Sequence, residues 1–541
     1  MHDLVIRNAL LLDGLGSPPQ RGDLSVLNGK ISQVGKAEGP AKQTVDAAGL
    51  ALMPGIIDNH THYDAQITWD PTLSPSPALG VTTAVIGNCG FTIAPCRAAD
   101  RERVMRNLTQ VEGMSLAALR AGIRWDFESV PQYLDMLEQR GAALNVAAFV
   151  GHSSVRTYVM GEAATQRVAT DQEIFLMRSI VLDAMRAGAV GFSTSTSPAH
   201  NGDGGLPMPS RLADEKELRA LVGCLRQAGR GVFMLTKGGQ TPIRFLEELA
   251  RDSTRPVVVA ALLHSSTNPD SVFSDLREIE AANQRGHRLV GAVSCCPLAM
   301  EFTLESPYVL EGLEAWKPAL PLKGDAFRKI ISSVEFRNAI RSELSRPAHF
   351  RLFNGEWDKV QVIESQQSVA ALAAASGKDP LDAMLDLALE EDLQTMFNAL
   401  LLNSDEQAVG RMLRHPHALV SLSDAGAHLT FFNDAGFGLH LLGHWVRELG
   451  VLKLEEAAAR LTSQPARLFG IRERGALRVG YHADLLLFDP ARVGRGAQRR
   501  VHDLPAGQPR LTVEPVGVHG VWVNGKPPAE MPGRLLRDFA P

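Results

Sequence analysis

The chain has 541 residues, of which 45% are hydrophobic and 21% charged, and a formal net charge of −5 at pH 7. This length exceeds what one hydrophobic core usually fills, and the mild negative charge lacks the basic footprint of a protein with a nucleic-acid partner. Five cysteines without a CxxC pair favour a reducing, cytoplasmic location, and no run of roughly 18 apolar residues predicts a membrane span.

Short strands joined by turns are predicted for residues 1–53. The stretches DLVIRNALLLDG, GDLSVLNGKISQVG and QTVDAAGLALMPG alternate apolar and polar residues and end at Gly or Asn-Gly. The same pattern of short strands and turns is found within residues 475–541, in GALRVGYHADLLLFDP and VHGVWVNGKP. We therefore expect one small β-sandwich domain formed by both termini. The basic segment GRGAQRR is expected to be a solvated loop.

Residues 54–474 alternate short apolar runs with helical patterns. The runs are GIIDNH, VTTAVIGNC, LNVAAFVGH, AGAVGFSTS, GVFMLTK, PVVVAALLH, RLVGAVSCC and HALVSLSD. Buried parallel strands are continuously apolar because helices cover both faces of the sheet. Eight such strands separated by helices predict an α/β fold, a (β/α)8 TIM barrel. The longest gap, around 297–415, is expected to be an insertion over the barrel mouth.

Polar residues stand at the carboxyl ends of seven of these eight runs, which is the face where barrel enzymes carry their chemistry. In chain order they are His60 and His62, then Cys89, His152, Ser193, Lys237, His264 and Asp424. Residues two apart in a strand share a face, so His60 and His62 are expected to point the same way.

Imidazole, thiolate and carboxylate groups together suit Zn²⁺, with other divalent transition metals as alternatives. Asp424, in LSDAGAH, could accept the proton of an attacking water and deliver it to a leaving group, or it could cap the next helix. His152 and Arg156, in GHSSVR, either contact substrate or brace a loop. Ser193 and His428 are further candidates for contact with substrate. For Cys89 and His264 the structural alternative is packing within the core.

The sequence resembles the amidohydrolase superfamily and, within it, the D-aminoacylase or N-acyl-D-amino-acid deacylase group. The similarity covers nearly the whole chain, through DLVIRNALLLDG, PGIIDNHTHYD, GVTTAVIGNCGFTIAP, GHSSVR, GAVGFSTS, SDAGAH and GALRVGYHADLLLFD. The resemblance implies the same barrel and sandwich, and a zinc centre of one or two ions. It also implies His60, His62, Cys89 and His264 as metal ligands, and Asp424 as a further ligand and proton shuttle.

One position departs from the family pattern. Where the family has a metal-binding histidine at the end of the fifth strand, GVFMLTKGG offers Lys237. An ammonium group cannot ligate a metal, so three interpretations stay open. The lysine could be carbamylated and act as an anionic ligand, or remain a free ammonium that replaces the ligand electrostatically or binds a substrate carboxylate. Alternatively, the site is reduced to a mononuclear centre.

We predict a metal-dependent hydrolase that cleaves the amide bond of a small molecule, an N-acyl (D-)amino acid, by attack of a metal-activated water. Asp424 is the predicted general acid and base. A cyclic amide or lactone hydrolase with the same centre is the alternative among enzymes. From another class, the alternative is a metal-free barrel that acts as a binding or scaffold protein. The acyl group, the chirality, the number of metal ions and homo-oligomer formation stay open at this stage.

Overall fold

Strands at the two ends of the chain frame a central series of strands and helices. The computed structural model describes residues 1–346 and 351–541. The strands up to residue 293 are β1 (His2–Leu11), β2 (Gln20–Leu27), β3 (Lys30–Gly35), β4 (Ala41–Asp46), β5 (Ala51–Pro54), β6 (Ile56–Asp58), β7 (Val81–Ile86), β8 (Asn145–Gly151), β9 (Gly191–Ser195), β10 (Val232–Thr236), β11 (Val257–Leu262) and β12 (Leu289–Val293). They are followed by β13 (Leu298–Phe302), β14 (Val360–Val362), β15 (Phe397–Leu402), β16 (Ala418–Val420), β17 (Leu485–Phe488), β18 (Gly494–Leu504), β19 (Gln508–Val516) and β20 (Val518–Trp522).

The helices lie mostly between the central strands. They are α1 (Arg101–Glu112), α2 (Leu116–Gly122), α3 (Val130–Arg140), α4 (His152–Met160), α5 (Asp171–Ala187), α6 (Glu215–Ala228), α7 (Ile243–Ser253), α8 (Ser271–Gln284), α9 (Gly324–Ile331), α10 (Val334–Leu344), α11 (Val369–Ser376), α12 (Pro380–Glu390), α13 (Glu406–Arg414), α14 (Phe437–His440), α15 (Leu454–Leu461) and α16 (Ser463–Leu468). A π-helical segment, Leu441–Glu448, continues α14. In the part of the chain that the structure describes, no helix has both the length and the apolar character needed to cross a bilayer.

Eight parallel strands form the barrel wall. Strands β6 to β12 are neighbours in sequence order, and β16 pairs with β12. The ring closes between the first and last strands, because Thr61 bridges Ala425 and the backbone N–H of His62 donates to the Ala425 carbonyl at 2.8 Å. Every residue of β7 and β8 is buried, as expected for strands covered by helices. The predicted (β/α)8 barrel is confirmed, and all eight predicted runs contribute strands.

A seven-stranded sheet unites the two termini. Its order is β20-β17-β5-β1-β2-β3, with β4 parallel to β1. The sheet encloses its own apolar core, and a buried polar network joins it to the barrel. In that network the Asp484 carboxylate accepts hydrogen bonds from Asn145 at 3.1 Å and from the backbone of Asn524 at 2.8 Å, and it pairs with Arg474. The prediction that both termini build one β unit is confirmed.

The segment between β12 and β16 is a subdomain with its own hydrophobic core. Strands β13, β14 and β15 form a three-stranded antiparallel sheet, and the core beneath it includes Trp316 and Phe397. The ring of Tyr308 stacks on Phe431, with centroids 4.9 Å apart, so the insertion reaches the loop that follows β16. Residues 347–350 of the predicted insertion lie outside the described residues.

A two-stranded ribbon, β18 with β19, braces the same loop from the other side. Arg495 pairs with Asp434 at 3.0 Å, Arg500 pairs with Glu301 of the insertion at 2.6 Å, and the backbone N–H of Leu511 donates to Leu429 at 2.6 Å. GRGAQRR therefore belongs to β18, so the prediction of a loop is wrong, although residues 497–500 are exposed as predicted. Its charges are compatible with a strand because acidic partners lie beside them.

Candidate metal centre

His60 and His62 follow β6 and converge on one carboxylate. His60 Nε2 lies 3.1 Å from Asp424 Oδ1, and His62 Nε2 lies 3.5 Å from the same oxygen. Both histidines are 3% exposed, and their ring centroids are 5.3 Å apart. The two rings therefore face one point, as their spacing of two along an extended segment predicts.

Cys89 brings a thiol to the same point from the end of β7. Its Sγ lies 3.5 Å from His60 Nε2, and one ligand atom each from His60, His62 and Cys89 lie within 4.8 Å of one another. The residue has a φ of +56°, a left-handed conformation that is uncommon away from glycine. This turn directs the thiol inward immediately after the strand.

The loop after β16 places Asp424. Its backbone N–H donates to the His60 carbonyl at 3.1 Å, and its φ is +47°. Gly426 passes so close to the first-strand loop that a Cβ atom there would lie 2.8 Å from the backbone of His62. The SDAGAH sequence thus needs its glycine for this close approach. Strained backbone at Cys89 and Asp424 is typical of functional sites.

The four groups form a strongly coupled set of charges. Burial disfavours the imidazolium of His60, but the adjacent Cys89 thiolate and Asp424 carboxylate outweigh this and raise its pKa to about 9. Burial also acts to lower the pKa of His62, but its pKa rises, chiefly through the charge of Glu112. Burial acts to raise the pKa values of the Cys89 thiol and the Asp424 carboxyl, yet the two imidazoles lower both. The Asp424 carboxylate, and the Cys89 thiol when it is ionised, therefore attract positive charge to this point.

This donor set fits a divalent transition metal. Two imidazole nitrogens, one sulfur and one carboxylate oxygen are the ligand types of zinc sites, and thiolate disfavours the harder cations. Metal binding would displace the protons that the two imidazoles otherwise hold. Among the described residues, His60, His62 and Cys89 form the one group of three or more His, Cys, Asp or Glu residues whose ligand atoms lie within 4.8 Å of one another.

Glu112 and His428 extend the centre, and sequence reasoning had not singled out Glu112. Glu112, the last residue of α1, places Oε1 3.2 Å from His62 Nδ1 and Oε2 3.3 Å from His428 Nε2. The carboxylate is 2% exposed. His428, a predicted substrate contact, is 17% exposed and stacks on Phe432 with ring centroids 5.0 Å apart.

His200 is a second residue that the sequence had not indicated. It lies in the loop after β9, its Nδ1 is 2.6 Å from Ser195 Oγ, and its ring packs edge-on against Phe91. Burial lowers its pKa to about 3, and the charges of His428 and His62 add to this effect. His200 is therefore a neutral imidazole close to the centre. A histidine within the polar stretch SPAHNGDGG carries no pattern that distinguishes it from a loop residue.

The structure does not bring His264 into the cluster. The residue lies beyond β11, where pairing with β12 shifts register between Val259 and Leu262. Its backbone exchanges hydrogen bonds with Asn403, at 2.7 and 2.9 Å. Burial lowers its pKa, and the charges that act on it are those of Asp405, Lys359 and Arg411. A shifted register changes which face a side chain occupies, so the implied role of His264 as a ligand is corrected.

Lys237 also turns away from the centre. Its Nζ lies 2.5 and 2.6 Å from the two carboxylate oxygens of Asp275 on α8. The inward position belongs to the preceding residue, Thr236, whose Oγ1 is 3.1 Å from Cys89 Sγ. Adjacent residues of a strand face opposite sides, so Lys237 is an ion-pair partner on the outer side. The predictions of a carbamylated ligand and of an ammonium within the site are wrong for this arrangement.

Lys237→Met is therefore expected to leave the metal content and any turnover close to those of the wild-type chain. The partly exposed ion pair with Asp275 contributes little to stability, on the order of 1 kcal/mol or less. Metal analysis and steady-state kinetics check this result, and intact-mass measurement of gently handled protein should show no carbamate. A loss of metal on substitution would restore Lys237 to the site.

His152 and Arg156 lie behind the barrel wall, whereas Ser193 is on its inner face, in register with Met234. His152 and Arg156 both bind Glu217 of α6, and all three side chains are fully buried. His152 also lies 2.7 Å from Thr194 Oγ1. The Ser193 hydroxyl is fully buried and donates to the Gly87 carbonyl in the turn before Cys89. None of these groups can reach a substrate, so their predicted substrate roles are corrected to structural ones.

Glu217→Gln is expected to destabilise the fold by about 3–5 kcal/mol, because it leaves the buried Arg156 guanidinium without its counter-charge. Thermal unfolding of the metal-free protein measures this loss as a lower Tm. The affinity for metal should not change, since Glu217 contacts none of the cluster residues. An unchanged Tm would mean that the buried pair adds nothing to stability.

Comparisons with known proteins agree on one family. The model of the amidohydrolase family matches residues 43–291 and 344–528. D-aminoacylase of Alcaligenes xylosoxydans xylosoxydans is 30% identical over 97% of this chain and 94% of its own length. N-acyl-D-aspartate deacylase of the same organism is 29% identical over 99% of this chain and 95% of its own length. The structure of N-acyl-D-glutamate deacylase from Bordetella bronchiseptica, complexed with zinc and a phosphonate mimic of the tetrahedral intermediate, matches with a TM-score of 0.68 and 27% identity, covering 99% of this chain and 100% of that one.

Proposed function

The chain belongs to the amidohydrolase family, and we propose that it hydrolyses the amide bond of an N-acyl-D-amino acid. It is a metal-dependent hydrolase that acts on carbon–nitrogen bonds other than peptide bonds. Two of these relatives are named for N-acyl-D-amino-acid substrates, N-acyl-D-aspartate in one case and N-acyl-D-glutamate in the other. The shared chemistry is an acylated D-amino acid, whereas the side chain differs between them.

His60, His62, Cys89 and Asp424 would hold the metal, for which Zn²⁺ is the best match to an imidazole and thiolate set. When bound, such an ion lowers the pKa of a water molecule and polarises the substrate carbonyl. We expect one ion for each chain. This expectation rests on one converging group of ligands among the described residues and on the engagement of Lys237 by Asp275.

Asp424 moves the proton in this proposal. Its side chain is 22% exposed, whereas those of His60 and His62 are 4% and 3% exposed, so the carboxylate is the more accessible to substrate. Its lowered pKa keeps it ionised at neutral pH. It accepts a proton from water as the new carbon–oxygen bond forms, then returns that proton to the amide nitrogen as the carbon–nitrogen bond breaks. The products are a carboxylic acid and a free amine.

Two neutral imidazoles are suited to contact the polar groups of the substrate. Burial lowers the pKa values of His428 and His200, so neither ring carries a charge at neutral pH. A neutral imidazole offers one donor and one acceptor. Phe431 lies 5.3 Å from His428 between ring centroids and carries the stacked Tyr308 of the insertion. We therefore propose that His428, His200 and this aromatic wall surround the substrate.

The convergence of His60, His62, Cys89 and Asp424 carries the proposal, and substrate hydrolysis tests it. Zinc-reconstituted enzyme is assayed with the N-acetyl derivatives of D- and L-amino acids that have apolar and acidic side chains. We expect free amino acid to be released from D-derivatives, to stop after chelation and to return with added Zn²⁺. Opening of a hydantoin ring without any deacylation would favour the cyclic amide alternative. No turnover of any of these compounds would overturn the proposal.

We also propose a cytoplasmic location. All five cysteines of the chain are free thiols in the structure, and all are buried, as expected for a protein of a reducing compartment. Fractionation of the cells that produce it, followed by detection with an antibody, checks this proposal. Recovery in the secreted fraction would contradict it.

A further inference from the structure

Glu112 is a buried carboxylate that has two histidines for partners. One oxygen lies 3.2 Å from His62 Nδ1 and the other lies 3.3 Å from His428 Nε2. Among the ion pairs of the described residues, none joins Glu112 to a lysine or an arginine. A carboxylate that is 2% exposed must be compensated by its neighbours. The nearest compensating groups are the imidazoles of His62 and His428, which lie at ion-pair distance and not in aligned hydrogen bonds.

The local backbone fixes this carboxylate in place. Glu112 ends α1, and its carbonyl accepts the backbone N–H of His428 at 2.6 Å. Gly113 follows with a φ of +58°, and a Cβ atom there would lie 2.3 Å from the ring of Phe431. His428 itself has a φ of +55°. The end of α1 and the loop after β16 are therefore tied together by backbone as well as by side chains.

The ring of His62 spans two carboxylates. Its Nε2 faces Asp424 at 3.5 Å, and its Nδ1 faces Glu112 at 3.2 Å. The Glu112 carboxylate and His62 Nδ1 lie at ion-pair distance without forming an aligned hydrogen bond. The negative charge on that side favours the proton of a neutral His62 on Nδ1. Nε2 then keeps its lone pair on the side where Cys89 and His60 converge. Metal-binding histidines commonly have such a carboxylate on the other ring nitrogen.

We propose that Glu112 is a positioning residue that holds His62 in the tautomer and orientation needed to bind metal, and that ties His428 to the same centre. The inference deepens the proposed function, on which it rests, by assigning a role to a residue on a different element from every ligand. Since Glu112 does not approach the converging ligand atoms, its effect passes through His62. Metal affinity should therefore respond to Glu112 more than to His428.

The test is the zinc affinity of metal-free protein, measured by competition with a chromophoric chelator. Glu112→Gln is expected to weaken zinc binding by about 10- to 100-fold, the usual cost of losing such a partner. His428→Gln should bind zinc nearly as tightly as the wild-type chain, because His428 supplies no ligand. The visible spectrum of the Co²⁺-substituted protein should also change in Glu112→Gln, since the orientation of the His62 ring changes.

Glu448→Gln is the matched control. Glu448 lies 2.9 Å from His444 Nδ1 on the surface, so the same substitution removes a carboxylate from a histidine that binds no metal. Thermal unfolding of Glu112→Gln with and without zinc separates a positioning role from a packing role. A positioning role reduces the increase in Tm that zinc causes, whereas a packing role lowers Tm equally with and without zinc. If Glu112→Gln does not fold, Glu112→Asp, with a shorter reach, should show the same loss in part. Wild-type zinc affinity in a folded Glu112 variant would overturn the proposal, whether or not any substrate is hydrolysed.

Discussion

Asp424→Asn is expected to lower kcat by about a hundredfold or more, the scale of a positioned general acid and base. Asparagine has nearly the size of aspartate, but its amide cannot take up the proton of the attacking water. The backbone hydrogen bond from residue 424 to the His60 carbonyl does not involve the side chain. The variant should therefore fold, and His60, His62 and Cys89 should still retain the metal.

Steady-state kinetics at saturating substrate, with metal content measured on the same sample, check this result. Asp434→Asn is a suitable control, because Asp434 lies in the same loop and pairs with Arg495. Its kcat should stay near the wild-type value. Turnover at the wild-type rate in a metal-loaded Asp424→Asn enzyme would remove Asp424 from the mechanism.

Cys89→Ala is expected to weaken zinc binding by more than about 100-fold, beyond the cost of losing a hydrogen-bond partner of a ligand. The thiolate is the softest donor of the set, and zinc binds such donors strongly. Removing it also removes a group that, when ionised, attracts positive charge to His60 and His62. The preference for zinc over harder divalent cations should fall as well.

Chelator competition on metal-free protein measures this change. Cys96→Ala is the matched control, since Cys96 is also buried but burial raises its pKa, and it is not one of the converging ligands. Cys96→Ala should keep the wild-type zinc affinity. If Cys89→Ala bound zinc as tightly as the wild-type chain, the thiolate would not belong to the metal centre.

The barrel could be predicted from sequence because its strands are marked in two independent ways. Each is a continuous apolar run, and each is followed by a helical pattern, which together indicate a parallel sheet. The spacing of His60 and His62 predicted their shared face, and the structure places them so. Cys89 was found because it directly follows a buried strand. These signals are local, and local signals can be read from sequence.

The positions of Lys237 and His264 could not be read in the same way. Strand β10 has apolar residues on both of its faces and is buried throughout. The sequence VFMLT therefore does not reveal that Met234 and Thr236 share the inner face. For His264, the register shift in β11 depends on pairing with β12. In a fully buried strand, tertiary contacts decide which residues face the barrel interior. An error of one residue in the predicted register places every side chain on the opposite face.

Contacts between residues far apart in the sequence could not be predicted for a different reason. Glu112 meets His62 and His428 only because α1 ends beside the loop after β16, and no sequence spacing encodes this approach. His152 and Arg156 were predicted to contact substrate because they follow a barrel strand. Glu217, far along the chain, instead holds both behind the wall. The domain limits at 53 and 474 stay predictions, as do the roles of His60, His62, Cys89 and Asp424.

The number of metal ions that support activity tests the central claim most directly. Metal-free protein is titrated with Zn²⁺ while bound metal and hydrolysis of an N-acetyl-D-amino acid are followed together. We predict that activity rises in proportion to bound zinc and reaches its maximum at about one equivalent per chain, because the described residues bring together one converging group of ligands. Less than half an equivalent of bound zinc, with no activity restored, would contradict a metal-dependent hydrolase.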